Sequence, residues 1–152
     1  MNIFAVHENP VRAAQCLSDK HVIKMILESA QMLCTSIHLH GGSAPYRVAH
    51  KNHPCTIWAR SSRSNFIWLC EHALELCRIY TNNFDRVHSS EKVINECLRK
   101  AYLIPDGPLT AFAQAMPDEF KRDCAVAAYR SYYTIAKRSI NKWTYQRRPA
   151  WA

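Results

Sequence analysis

Between Asp19 and Gln31 the chain reads DKHVIKMILESAQ, and this stretch constrains the fold more than any other. Val22, Ile23, Ile26, Leu27 and Ala30, then Leu33, Cys34 and Ile37, recur at three- and four-residue intervals. That is the period of a helix with one face in a core. A strand would alternate every second residue, so the segment commits the chain to at least one long helix. Its remaining positions set amine, imidazole, carboxylate and amide groups in one row. Lys20, Lys24, Glu28 and Gln31 stand at i, i+4, i+8 and i+11, and His21 lies seven residues before Glu28. Such a row can grip an anion and move a proton. The same Lys24–Glu28 spacing also makes an ordinary helical ion pair. Glu28, His21 and Lys24 are therefore the candidate catalytic residues. Glu28 would be acid or base, and the nucleophile an amine of Lys20 or Lys24, or an activated water. Neighbouring ammonium groups disfavour each other's charge, which favours a free amine, and imidazole titrates near neutrality.

Caps and breakers place the other helices. Asn9-Pro10 reads as an N-cap and first helical position for a short helix through Leu17. Ser18 or Asp19 caps the helix just described, expected to run to about His38. Gly41-Gly42-Ser43-Ala44-Pro45 breaks the chain. Pro54 suits the first turn of another short helix, followed by a long one from about Ser64 to Tyr80. Ser89 or Ser90 caps a helix from Glu91 to about Ala101. An irregular stretch carrying Pro105, Pro108 and Pro117 precedes a last helix, expected from Cys124 to Ile140 with Asp123 as its cap. No segment alternates over strand length. The expectation is an all-α protein, one compact domain over residues 1–152, of five or six helices with a long irregular loop before the last.

The net charge of +8 is unevenly spread. Residues 121–152 hold eight Lys/Arg against Asp123 alone, while residues 64–120 hold five against eight acids. A basic C-terminal segment points to an anionic partner, either nucleic acid or a nucleotide-derived ligand. No apolar run approaches the roughly 20 residues of a membrane span, and the N-terminus lacks the basic start and apolar stretch of a signal peptide. A cytoplasmic protein with no membrane partner is expected; homo-oligomerisation stays open. Seven cysteines without a CxxC pair read as reduced, mostly buried thiols. The histidine spacings offer no strong zinc signature, so neither metal nor cofactor is expected.

Two further constellations suit an anionic ligand. In HKNHPCTIWARSSR a polar loop enters a helix N-terminus, where free N–H groups favour anions. Asn52, His53, Trp58 and Arg60 are its candidate binding residues, although Asn52 as a plain N-cap and Trp58 as core are the ordinary alternatives. Later, AYRSYY interleaves aromatic and basic groups, as stacking plus phosphate contact requires. Tyr129, Arg130, Tyr133 and Lys137 are the candidates there, joined by Lys20 and Gln31 from the row above. Tyr129 and Tyr133 could equally pack on the bundle. Arg60 and Arg130 are expected to share a pocket with Lys20 or Lys24.

Through DKHVIKMILESAQ, NHPCTIWARSS and AMPDEF…AYRSYY…KW the chain resembles a family of small phage-encoded proteins. It is also similar to the phage pyrimidine-dimer DNA glycosylases of the endonuclease V type, which are compact and all-helical. These carry Asp-x-His and then a catalytic glutamate seven residues after the histidine, a pattern that reads here as Asp19, His21 and Glu28. The resemblance implies a glycosylase or lyase acting on a base–sugar bond of DNA. The family's nucleophile is the α-amine of a small residue exposed by methionine removal. Residue 2 here is Asn, after which methionine is usually retained, and Leu27 stands where the family has arginine before its glutamate. The glutamate thus carries over and the nucleophile does not. A non-catalytic protein that sequesters a nucleotide-derived molecule, as an anti-defence sponge, is the competing reading; a nonspecific nucleic-acid-binding domain is a third.

Overall fold

The computed structural model describes all residues from Met1 to Ala152 and contains no strand. Six α-helices follow in order: α1 (Pro10–Gln15), α2 (Asp19–Leu39), α3 (Pro54–Ser61), α4 (Arg63–Phe84), α5 (Glu91–Arg99) and α6 (Ala125–Ile135). Short 3-10 turns occupy Ala101–Leu103 and Asp118–Phe120. The all-α expectation holds. No helix is long and apolar enough to cross a membrane.

Several boundaries follow from side chains that replace missing backbone partners. Asn9 caps α1 by accepting from the Arg12 N–H at 3.0 Å, with Pro10 in the first turn. Ser62 alone separates α3 from α4. Its hydroxyl accepts from the Asn65 N–H at 3.1 Å and donates to the Pro108 carbonyl at 2.7 Å. One residue thereby starts α4 and pins the irregular segment across it.

The last helix differs from expectation at both ends. It ends at Ile135, not Ile140, because Asn141 Nδ2 donates to the Tyr133 carbonyl at 3.0 Å and satisfies one of the free acceptors there. At its start Asp123 is exposed and the cap position is Cys124, with no side-chain bond. Asp19 likewise lies inside α2: Ser18 holds the cap position, and both Asp19 carboxylate oxygens accept from the Thr144 N–H at 3.0 Å.

The core is one cluster of 34 buried residues. α2 and α4 form its axis, with α1, α3 and α5 packed around them. α6 joins differently, through residues 1–6 and through the Tyr133 hydroxyl, which meets Ser18 and His21. Ile3, Phe4, Ala5 and Val6 are all buried. Phe4 rings against Tyr129, Tyr132 and Tyr133 of α6 and against His21 of α2. Arg130 donates from Nε to the Val6 carbonyl at 2.9 Å. Phe4 has a φ of 39°, a left-handed conformation uncommon for a bulky side chain. Asn2 supports it: Oδ1 accepts from the N–H groups of Ile3 and Phe4, and Nδ2 donates to the Ala115 carbonyl at 2.9 Å. The first residues are thereby turned into the molecule.

Candidate functional site

That turn delivers the chain terminus to α2. The Met1 α-amine lies 3.5 Å from Glu28 Oε2, and the two side chains are 4% and 13% exposed. Lys24 Nζ approaches the other oxygen at 3.8 Å, but its side chain is 60% exposed. The one carboxylate therefore sits between the α-amine of a residue whose side chain is packed away and the ammonium of a solvent-facing lysine. Oε2 is buried and lacks a hydrogen-bond partner, since 3.5 Å exceeds the usual reach of a charged hydrogen bond.

Glu28 opens onto a cavity of about 390 Å³. Met1, Asn2 and Phe4 form its floor; His21, Lys24, Met25 and Glu28 of α2 form one wall. His53 and Pro54 at the start of α3 add to the rim, with Gln114, Ala115, Met116 and Lys121 from the irregular segment opposite. Tyr132 and Lys137 complete it. Four cationic groups thus face the cavity with a single acid. Lys121 is paired with Asp118 at 2.9 Å, and the Lys137 ammonium lies 5.2 Å from the centre of the Tyr132 ring. An anion fits this balance, because each phosphate oxygen could meet an ammonium donor.

His21 is buried at the inner edge. Its Nδ1 lies 2.7 Å from the Tyr133 hydroxyl and 3.2 Å from Ser18 Oγ. Burial, then the charges of Lys137, Lys24 and Lys20, push its pKa down to about 4. The ring is neutral at pH 7. His53 is half-buried; its Nδ1 accepts from the Cys55 N–H at 3.1 Å. Its pKa is lowered by burial first, then by the α-amine and His50, against a small opposing effect of Glu28.

Of the candidates read from sequence, Glu28, His21, Lys24, His53 and Lys137 meet in this cavity. The others do not line it. Tyr129 is fully buried, its hydroxyl donating to the Ala113 carbonyl and accepting from the Ala115 N–H. Tyr133 is fully buried beneath His21. Trp58 packs edge-on against Trp68 at 5.7 Å, so the core reading of that ring is the right one. Arg60 donates to the Lys51 carbonyl on another face, and Arg130 holds Val6 and lies over Trp151. The expected shared pocket of Arg60, Arg130 and a lysine is therefore not formed. Lys20 and Asn52 are exposed, and Gln31 is half-buried three residues beyond Glu28. The helix N-cap before Pro54 is His53, not Asn52. Met1, Lys121 and Tyr132 were missed by sequence reasoning. Only the basic run that begins at Lys121 hinted at one of them. No group of three or more His, Cys, Asp or Glu side chains is placed to hold a metal ion, and all seven cysteines are free thiols.

An all-helical protein with a carboxylate–amine pair inside a cationic cavity is the class that fold and site define. The family model described as pyrimidine dimer DNA glycosylase matches residues 1–83, more than half the chain, and the protein belongs to that family. No curated protein and no solved structure matches it significantly.

Proposed function

We propose that this protein is a DNA glycosylase, acting as one domain in the cytoplasm, that breaks a base–sugar bond at a damaged pyrimidine site. Glu28 is its acid/base, and the Met1 α-amine is its nucleophile. The observation that carries the reading is the 3.5 Å approach of that amine to Glu28 Oε2 inside the cavity. Lys24 is the other amine beside Glu28, but it is exposed and free to swing, whereas Met1 is held by packing. A fixed nucleophile loses less freedom on reaching the transition state. Attack at C1′ by the amine lone pair forms the N–C1′ bond as the C1′–base bond breaks. Glu28 takes the proton that the amine gives up and can return it to the departing base. Lys24, Lys121 and Lys137 hold the phosphates that flank the reacting sugar. His21, neutral and fixed by Tyr133, backs the glutamate wall.

Borohydride trapping tests this. Duplex DNA carrying a cyclobutane pyrimidine dimer, incubated with protein and borohydride, should yield a covalent adduct whose peptide map places it on Met1. An adduct on Lys24 would move the nucleophile. No adduct and no cleaved product, with mononucleotide binding retained, would replace the enzyme by a sequestering protein that uses the same cavity.

A further inference from the structure

His53 is tied to the backbone in a way that decides what its ring can offer. Nδ1 accepts the Cys55 N–H, so it carries no proton. The neutral ring must then hold its proton on Nε2. Nδ1 is committed to the start of α3, and Nε2 is the nitrogen left for a ligand in the cavity that His53 shares with Met1 and Glu28. Burial and the adjacent α-amine keep the ring neutral at pH 7. Of the polar side chains around this cavity, Gln114 is spent on both backbone groups of Arg122 and Asn2 on its own turn and Ala115. The lysines are charged, mobile and suited to phosphate. His21 has its Nδ1 between the Tyr133 and Ser18 hydroxyls and the Tyr132 hydroxyl can rotate about its C–O bond, whereas His53 is an uncharged donor held at a fixed angle.

Resting on the glycosylase reading above, we propose that His53 donates a hydrogen bond to the leaving base. As the C1′–N1 bond breaks, its electron pair moves onto the pyrimidine and spreads from N1 to the O2 carbonyl oxygen. The Nε2–H group meets that oxygen where the negative charge grows. No proton leaves His53; the departing base receives its proton from Glu28, which took it from the attacking amine. A preorganised donor of this kind acts on the developing charge more than on the ground state.

The test separates base departure from amine chemistry. His53→Ser keeps an acceptor for the Cys55 N–H but is too short to reach the cavity. His53→Asn keeps the acceptor and also retains a shorter N–H donor. Wild type and both variants are assayed on two duplexes, one with a cyclobutane pyrimidine dimer and one with an abasic site, which has no base to expel. His53→Ser should lose about a hundredfold in single-turnover dimer excision, with abasic-strand cleavage and borohydride trapping on that DNA unchanged. His53→Asn should recover part of the loss. Equal losses on both duplexes would assign His53 to the amine or the phosphates and overturn the proposal, as would no loss on either. If wild type itself fails to trap on abasic DNA, the glycosylase reading has failed, and the role of His53 with it. Failure of His53 alone leaves wild-type trapping intact. Melting temperatures of both variants, expected within a few degrees of wild type, exclude unfolding as the cause.

Discussion

Residues 1–83, which match the family model, and residues 84–152, which lie outside it, contribute differently to the same cavity. The first region holds the Met1 amine, Glu28, His21 and His53, the groups around which the proposed chemistry is built. The second supplies Lys121, Lys137 and Tyr132, which set charge and shape. It also holds the first region in place. Ala115 receives Asn2, Tyr129 anchors the segment beside it, and Tyr133 fixes Ser18 and His21. The Met1–Glu28 pair thus lies within the matched part of the chain, while its electrostatic environment is assembled from remote sequence.

The largest expected effect breaks the first region's chemistry. Glu28→Gln should lower product formation by roughly 10²- to 10⁴-fold, the range for a lost acid/base group, while the helical spectrum and DNA affinity persist. Single-turnover excision and a binding isotherm on the same variant check it; unchanged turnover would remove Glu28 from catalysis.

Acid should weaken the molecule next. His21 and His72 both have pKa values pushed down to about 4, in each case chiefly by burial. Above pH 6.5 neither the folded nor the unfolded chain protonates these rings. Between 6.5 and 4 the unfolded chain takes up protons that the folded one does not. Stability is therefore fully present above pH 6.5 and falls as the pH drops towards 4, by up to about 3 kcal/mol for each ring. Denaturant titrations across this window should show the decline, and His72→Asn should flatten it.

In the second region, Lys137→Met should weaken DNA binding by about 1.5–3 kcal/mol, the range for a hydrogen bond to a charged group, and lower the salt dependence. Tyr133→Phe should cost about 1–3 kcal/mol of stability, because it strands the Ser18 N–H and removes the partner of His21. Chemical denaturation of that variant measures how far the second region supports the first. Arg86→Ala, at an exposed site remote from the cavity, should change neither binding nor stability beyond about 0.5 kcal/mol. A loss equal to that of Lys137→Met would show that binding follows overall charge, not the cavity.

The sequence by itself determined the helices and one wall of the site. The apolar spacing of α2 and the Asn9-Pro10 and Pro54 signals are local, and each acts within a turn of its own residue. The same helical spacing put His21, Lys24 and Glu28 on one face, which is why that wall was legible. Tertiary structure decided the rest. Nothing local says that Met1 reaches Glu28: that contact needs the Phe4 turn, the Asn2 clamp on Ala115 and the packing of α6 against residues 1–6. Tyr129, Tyr133, Trp58 and Arg130 have the composition of a binding surface, yet three are buried and the fourth braces Val6. An aromatic or arginine side chain serves packing and recognition equally well, and only its neighbours in space decide between them. The end of α6 shows the same limit. Its pattern continues to Ile140, but Asn141 folds back onto the Tyr133 carbonyl and closes the helix five residues earlier.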